Sequence, residues 1–251
     1  MKDERLLEIL KVINENQSVS IETLMKTFYL SDSTIRRQLK KLEDKGLILR
    51  SYGKAISITS NHQPLEFSKR RNFATKEKEL IASKAISCCM KDNCVVMLDA
   101  SSTAMRTISY LQKYSNVTVI TSGIETLFLL SQTDLTYFSS GGQALAKSYS
   151  FIGQTAIDTI KTFNADVCFV SCHGLSDTGY ATDDSIFEND VRKTILNQSK
   201  RKVLLIDSTK INKTCHSNLC HISEFDDVFC DKPLPEHIAK HIKNLHVIIG
   251  D

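Results

Sequence analysis

The segment from Ser18 to Gly53 constrains the fold most, because it has the pattern of two short amphipathic helices joined by an apolar turn. Ser20 and Ser31 stand where the two helices would begin, and a hydroxyl there accepts a hydrogen bond from an otherwise unpaired backbone N–H. In the second helix three apolar residues recur at the spacing of one buried face: Ile35, Leu39 and Leu42. This pattern predicts a helix-turn-helix, whose second helix fits the major groove of DNA.

The side chains of the second helix that lie away from this apolar face are mainly hydroxyl and basic ones. They can neutralise phosphates and read guanine edges. Two short strands after it, Leu47–Arg50 and Ala55–Thr59, predict a wing. The predicted DNA-contacting residues are Ser31, Ser33, Thr34, Arg36, Arg37, Lys40, Lys41, Arg50 and Lys54. An ordinary solvated helix face is the alternative for the basic residues, but the caps, turn length and apolar face together favour DNA contact.

A first helix is predicted upstream, over about residues 3–16, with an apolar face formed by Leu6, Leu7, Leu10 and Ile13. The first 60 residues hold 11 of the 32 Lys and Arg residues and 8 of the 29 Asp and Glu residues. The whole formal net charge of +3 therefore lies in this part of the chain. A modest positive charge suits specific binding of double-stranded DNA by a dimer.

The length of 251 residues allows this small domain and one larger domain. We expect a winged helix-turn-helix over residues 1–59, a polar linker over 60–73 and a second domain over 74–251. No apolar run is long enough for a membrane span, and the N-terminal segment carries acidic residues unlike a secretory signal. The expectation is a cytoplasmic protein with no membrane partner.

Most of the eight cysteines lie in or beside apolar segments and are expected to be buried, reduced thiols. The segment from Cys215 to His221 differs, because Cys215 and Cys220 are each followed by a histidine. This predicted loop has a spacing that could hold zinc or sense oxidants, with ordinary thiols as the alternative.

From Thr75 onward, strand patterns alternate with helical patterns, one of them a predicted helix over residues 151–163. Such alternation predicts a mostly parallel sheet covered by helices on both faces, an α/β fold. The predicted strands are Cys94–Leu98, Val117–Ile120, Leu135–Phe138, Val167–Val170, Val203–Ile206, Val228–Cys230 and Val247–Ile249.

Small and polar residues repeatedly follow these strands, where open α/β sheets bind ligands. Hydroxyls at a helix start and a lysine at a strand end favour an anion, glycines allow close approach, and carboxylates accept from sugar hydroxyls. The predicted effector-binding residues are Asp99, Ser101, Ser102, Thr103, Ser122, Gly141, Gly142, His173, Gly174, Glu188 and Lys210. The structural alternatives are a helix cap at 101–103, an Asp99 that stabilises its own turn, and a tight turn at 141–142.

These motifs resemble the DeoR family of bacterial transcriptional regulators over almost the whole chain. Leu30–Leu39 is similar to the family's V-S-x-x-T-[IV]-R-R-D-L, with Gln38 in place of Asp. Asp99–Thr103 is similar to its D-x-G-T-T, with Ser101 in place of Gly. The family's G-G, E-x-x-V-K and D-x-[ST]-K motifs have counterparts at Gly141–Gly142, Glu188–Arg192 and Asp207–Lys210.

The resemblance implies a sensor fold related to sugar-phosphate isomerases and a phosphorylated sugar as effector. We therefore expect a repressor of a carbohydrate-utilisation operon that binds operator DNA as a dimer or tetramer, with no enzymatic activity and no cofactor. One alternative is an isomerase-like enzyme, with Asp99, Glu188 and Lys210 as candidate catalytic groups. Another is a metal- or thiol-responsive regulator that uses Cys215 and Cys220.

Overall fold

The computed structural model describes residues 2–16, 18–44, 47–51, 53–57 and 67–248. The chain divides into two compact units. The first comprises residues 1–65 with 72–74, and the second comprises 66–71 with 75–251.

The first unit is a winged helix-turn-helix. Its elements are α1 (Lys2–Asn16), β1 (Ser18–Ser20), α2 (Ile21–Phe28), α3 (Asp32–Asp44), β2 (Ile48–Ser51) and β3 (Lys54–Ser57). The strands form an antiparallel sheet in the order β1-β3-β2. The wing is therefore three-stranded, because β1, which the sequence pattern did not predict, pairs with β3.

Both predicted helix caps are formed. The Ser20 hydroxyl accepts from the Thr23 N–H at 3.0 Å, and the Ser31 hydroxyl accepts from the Thr34 N–H at 3.4 Å. The apolar face of α3 is buried as predicted, at Ile35, Leu39 and Leu42. The turn between α2 and α3 contains a left-handed Tyr29.

The predicted apolar face of α1 is wrong at one position. Leu7 is 63% exposed, whereas Leu6, Ile9 and Ile13 are buried. The buried residues are spaced i, i+3 and i+7, which is one helix face, and Leu7 is rotated about 100° from Leu6.

The second unit contains the rest of the described elements. Its helices are α4 (Phe67–Arg71), α5 (Thr75–Cys89), α6 (Ile108–Leu111), α7 (Ile124–Leu130), α8 (Gln154–Lys161), α9 (Ile186–Asn197) and α10 (Glu236–Ala239). Its strands are β4 (Cys94–Leu98), β5 (Val117–Thr121), β6 (Thr136–Ser139), β7 (Gln143–Leu145), β8 (Ser150–Ile152), β9 (Ala165–Val170), β10 (Gly174–Leu175), β11 (Tyr180–Asp183), β12 (Ser199–Ile206), β13 (Ser217–His221), β14 (Asp227–Cys230) and β15 (Asn244–Val247). Short 3₁₀ turns cover Ala104–Thr107, Ser208–Lys210 and Ile222–Glu224.

Seven parallel strands form the main sheet of this unit, in the order β15-β14-β12-β9-β4-β5-β6. Neighbouring residues of one strand face opposite sides, so Met97 packs in one apolar cluster and Leu98 in the other. The predicted mostly parallel α/β fold is confirmed. Two smaller sheets accompany it, β10-β11-β13 and the hairpin β7-β8.

Three sequence expectations differ from the structure. The helix predicted over 151–163 begins at Gln154, because β8 pairs with β7 and Gly153 has a φ of +89°. The segment around Cys220 is strand β13 rather than a loop, since it pairs with β11. The last strand is Asn244–Val247, and Ile249 lies outside the described residues.

The predicted linker over 60–73 contains structure in its second half. Phe67–Arg71 form α4, which belongs to the second unit. Phe67 is buried, and its N–H donates to the Lys147 carbonyl at 3.1 Å. The first half of the predicted linker, up to residue 66, lies outside the described residues.

Candidate functional site

The predicted DNA-contacting residues of α3 form an accessible polar side of that helix. Six are exposed and Thr34 is partly exposed; the six are Ser31, Ser33, Arg36, Arg37, Lys40 and Lys41. Arg50 and Lys54, on β2 and β3, are exposed too.

Two of these arginines already have carboxylate partners. Arg36 Nε lies 2.6 Å from Asp32 Oδ2, and Arg50 Nε lies 2.8 Å from Glu43 Oε2. Ion pairs this exposed contribute about 0–1 kcal/mol. Either arginine can therefore exchange its carboxylate for a DNA phosphate at little cost.

In the second unit, two adjoining pockets lie where strands of the parallel sheet end. The first is lined by Arg70, Lys78, Ser101, Ser102, Thr103, Ser171, Cys172, His173, Arg192 and Lys210. The second is lined by Asp99, Ala100, Ser122, Ser150, Phe151, Glu188, Val191 and Arg192. Eight of the eleven predicted effector-binding residues thus line one pocket or the other, and Arg192 lines both.

Asp99 holds the loops of the site together. Its Oδ1 accepts from the Ser101 N–H at 3.1 Å, and its Oδ2 accepts from the Ser171 N–H at 3.2 Å and from Arg192 Nε at 2.8 Å. With both oxygens engaged and 2% of its surface exposed, Asp99 positions two loops instead of presenting a carboxylate to a ligand. The same engagement argues against Asp99 as the base of an isomerase.

Arg192 is the centre of a buried charge network. Besides Asp99, its guanidinium contacts Asp183 Oδ2 at 3.1 Å and Asn189 Oδ1 at 2.9 Å. Burial alone would lower the pKa of Arg192, but Asp183 and Asp99 raise it. Arg192 therefore stays charged, and the two aspartates that it contacts balance its charge.

His173 is held on the other side of Asp183. Its Nδ1 lies 3.1 Å from Asp183 Oδ1 and 3.4 Å from Asp184 Oδ2. The proximity of the His173 imidazole lowers the pKa of Asp184. The imidazole lies at the wall of the first pocket, and the backbone N–H of His173 donates to the Thr182 carbonyl of the small sheet at 3.0 Å.

The hydroxyl residues after β4 combine a capping role with a position at the pocket. Ser101 Oγ accepts from the Ala104 N–H at 3.1 Å, so this side chain caps the following 3₁₀ turn. Ser102 Oγ lies near Lys78 and the Arg70 carbonyl. The predicted helix start is thus a 3₁₀ turn followed by the short helix α6.

Three predicted glycines do not line these two pockets. A Cβ on Gly142 would lie 2.6 Å from the Ile152 carbonyl oxygen, and one on Gly174 would lie 2.4 Å from that of Lys213. Both glycines are therefore explained by close backbone packing. Gly141 has a φ of +59° and open space around its Cα, which fits the tight-turn alternative.

Several pocket-lining residues were missing from the prediction, among them Arg70, Lys78, Ser150 and Arg192. Arg70 was missed because it lies in the predicted linker. Lys78 was missed because the charged sequence around it predicts an exposed side chain. Among the described residues, the buried hydroxyl of Ser150 has no hydrogen-bond partner, so it is available to a ligand. Arg192 could have been predicted from the sequence, since it is the last residue of the family motif at Glu188–Arg192.

The cysteine segment does not assemble a metal centre in the part of the chain that the structure describes, where no group of three or more potential ligands occurs. Burial raises the pKa of the Cys215 thiol to about 11 and that of Cys220 to about 12. Both thiols are therefore poor thiolate nucleophiles near neutral pH.

Within the described residues, no helix is both long and apolar enough to cross a bilayer.

The two units together define a transcriptional regulator of the helix-turn-helix class. A family model described as the DeoR-like helix-turn-helix domain matches residues 5–61, and one described as the DeoR C terminal sensor domain matches residues 74–232. The chain belongs to the DeoR family, as its motifs predicted, and is a DNA-binding transcriptional regulator.

Relatives match along nearly the whole chain. The HTH-type transcriptional regulator GolR of Listeria innocua is 28% identical over 96% of this chain and 95% of its own. The glycerol-3-phosphate regulon repressor of Escherichia coli is 25% identical, over 95% and 94%. The L-fucose operon activator of Haemophilus influenzae is 29% identical, over 93% of each chain. Among solved structures, ribose 5-phosphate isomerase from Plasmodium falciparum aligns over 55% of this chain and 52% of its own, with a TM-score of 0.41 and 14% identity.

Proposed function

We propose that this regulator represses a carbohydrate-utilisation operon and is released from its operator when a phosphorylated sugar occupies the second unit. The main support for this proposal is the set of residues that line the first pocket. Lys78, Lys210 and the two arginines surround the hydroxyls of Ser101–Thr103 there. Cations and hydroxyl donors in a half-enclosed site suit a phosphate group.

The second pocket offers groups that suit the sugar. Glu188, which accepts from Ser148 Oγ at 2.8 Å, provides acceptor oxygens, and the Ser122 and Ser150 hydroxyls can donate or accept. The two pockets share Arg192, so one molecule with a phosphate at one end and hydroxyls at the other would contact the lining of both. The names of the E. coli and H. influenzae relatives, a glycerol-3-phosphate regulon repressor and an L-fucose operon activator, support this ligand class.

A thermal-shift panel of sugars, each with and without its phosphate, tests the effector. A ligand raises the melting temperature by mass action, so a phosphorylated member should stabilise the protein and its unphosphorylated partner should not. Each lost charge-assisted hydrogen bond costs about 1.5–3 kcal/mol, so the loss of two or more should make the two affinities differ at least about 100-fold. Equal shifts for a sugar and its phosphate would contradict a phosphate subsite.

Lys210 is half-buried in the 3₁₀ turn that follows β12, and we propose that it contacts the phosphate. Lys210→Ala should bind DNA normally but fail to be released by the stabilising sugar phosphate. Lys200→Ala, at an exposed lysine near the start of β12, is the matched control. A Lys210→Ala protein released at the wild-type effector concentration would remove Lys210 from the site.

On the DNA side, we propose that α3 reads base edges in the major groove, that the wing arginine and lysine contact phosphates, and that at least a dimer binds repeated half-sites. Arg36→Ala and Arg37→Ala should each weaken binding to an operator duplex, selected from random-sequence DNA, by about 1–3 kcal/mol. Lys11→Ala, on the exposed side of α1, should have little effect. Wild-type affinity in the Arg36 and Arg37 double variant would refute the assignment of α3.

A further inference from the structure

Ser150 carries a buried hydroxyl that has no hydrogen-bond partner in the part of the chain that the structure describes. The residue is 1% exposed, and its side chain lines the second pocket. A hydroxyl that is buried without a partner destabilises a fold. A hydrogen bond from a ligand in the second pocket would remove this penalty, so the position favours binding over stability.

The backbone holds Ser150 in place from two sides. It pairs with Leu145 of β7 on one side and forms an antiparallel bridge with Gly123 on the other. Beside that bridge, the Phe151 N–H donates to the Ser122 carbonyl at 2.7 Å. The hydroxyl is therefore presented from a fixed backbone position, which is the arrangement that makes a binding site selective.

Glu188 gives the second pocket an acceptor that requires a donor on the ligand. It is 7% exposed, and among the described residues only its Oε2 accepts a side-chain hydrogen bond, from Ser148 Oγ at 2.8 Å. A carboxylate accepts hydrogen bonds but cannot donate them. The ligand group that meets Oε1 must therefore carry an O–H or N–H, whereas a second carboxylate or phosphate there would place two anions together.

The charged groups around the two pockets differ in sign. Among the described residues that line the first pocket there are several basic residues and no Asp or Glu. The buried carboxylates around the second pocket are those of Asp99, Asp183 and Glu188. They outnumber the two guanidiniums among them, of Arg70 and Arg192. Because like charges repel strongly inside a protein, an anionic group is favoured in the first pocket and opposed in the second.

We propose that the second pocket selects the effector by an uncharged, hydroxylated end, and that Ser150 and Glu188 are the residues that recognise its hydroxyl groups. The inference rests on the proposed function, because it needs the phosphate of the effector in the first pocket. It narrows the ligand class to sugar monophosphates whose other end carries free hydroxyls. Sugar bisphosphates and phosphorylated sugar acids are excluded.

Calorimetry on the full chain with three pairs of probes tests the selection by charge. Ribose 5-phosphate, glucose 6-phosphate and fructose 6-phosphate are compared with ribose 1,5-bisphosphate, 6-phosphogluconate and fructose 1,6-bisphosphate. In each pair that binds, the monophosphate with the neutral end should bind at least about tenfold more tightly. Glu188→Gln should reduce this difference, whereas Asp190→Asn, which removes an exposed carboxylate from the same helix, should preserve it.

Ser150→Ala tests the hydroxyl in the absence of any ligand. The variant removes an unpaired buried hydroxyl, so the ligand-free protein should melt about 1–4 °C higher than wild type. Ser199→Ala is the matched control. Its hydroxyl is also buried but donates to the Ile195 carbonyl at 2.7 Å, so this variant should melt at a lower temperature than wild type. A lower melting temperature for Ser150→Ala would assign its hydroxyl a structural role and refute its role in recognition.

The affinity of the two serine variants gives a second measurement. Ser150→Ala should bind the tightest neutral-ended probe about fivefold to tenfold more weakly than wild type, which is the value of one neutral hydrogen bond. Ser199→Ala should bind it with wild-type affinity. Wild-type affinity in Ser150→Ala, or tighter binding of the doubly anionic probes by the wild-type protein, would refute the inference and leave the phosphate site intact. Binding of none of the six probes would reject the phosphate site and this inference together.

Discussion

Replacing Arg192 by methionine should destabilise the second unit strongly, because it removes the cation between two buried carboxylates. Asp99 and Asp183 are 2% and 0% exposed, and both contact the guanidinium. Breaking a buried ion pair costs about 3–5 kcal/mol. Each carboxylate keeps backbone N–H partners, at Ser101 and Ser171 for Asp99 and within residues 184–185 for Asp183. We therefore expect the lower end, about 3 kcal/mol.

Thermal unfolding of the full chain followed by calorimetry measures this loss. For a unit of this size each kcal/mol shifts the melting temperature by about 2–4 °C, so the sensor transition of Arg192→Met should fall by about 6–12 °C. Lys200→Met is the control. It removes an ion pair with Asp166 at 3.0 Å in which the lysine is 76% exposed, and it should change stability by less than about 1 kcal/mol. A shift for Arg192→Met as small as the control's would refute the argument.

The ion pair between Arg192 and Asp183 gives this loss of stability a defined pH dependence. Burial alone would raise the pKa of Asp183, but Arg192 and His173 hold it well below its usual value. A carboxyl with a depressed pKa stabilises the fold fully above its unfolded pKa of about 4, and this stabilisation is lost as the pH falls below that value. Because the unfolded state is common to both proteins, the difference between wild type and Arg192→Met should be constant near neutrality and shrink as the pH falls through the pKa of Asp183 in the variant, which lies above its wild-type value.

Two further predictions concern the glycine turn and the buried Lys78. Gly142→Ala should cost at least about 3 kcal/mol in chemical denaturation, because its Cβ would lie 2.6 Å from a carbonyl oxygen at a φ of +103°. Gly141→Ala should cost about 1–2 kcal/mol, and similar losses for both would contradict this difference. Sulfate, which does not titrate in this range, should bind with uptake of up to one proton at pH 8 and almost none at pH 6. The reason is that an anion raises the Lys78 pKa from about 7. Calorimetry in buffers of different ionisation enthalpy measures the uptake, which Lys78→Met should abolish.

The parts of the fold that the sequence predicted are those with local or periodic causes. The Ser20 and Ser31 caps act within three residues, and the buried face of α3 follows helical spacing. Most strand positions followed from short apolar runs. The hairpin β7-β8 was missed because each of its strands has only three residues, and the sheet β10-β11-β13 was missed because β11 pairs with the distant strand β13.

In the candidate site, too, the residues that the sequence predicted are those whose positions have local causes. Residues directly after strands were found, because parallel strands end at a common edge. Arg70 and Lys78 were not found, since their burial depends on contacts with each other and with Ser102, far along the chain. Asp99 was found but given a ligand-binding role, whereas its oxygens are used by loop amides and Arg192.

The sequence distance between the parts of each unit affects the order in which a nascent chain becomes functional. The apolar core of the DNA-binding unit is closed by contacts among residues 6–55. The first pocket instead needs side chains from residue 70 to residue 210, and its sheet continues to β15 at 247. During synthesis, domains fold as units and the N-terminal one folds first. The DNA-binding unit is therefore complete well before the second unit. A stalled or truncated chain would therefore carry a DNA reader that no effector can control.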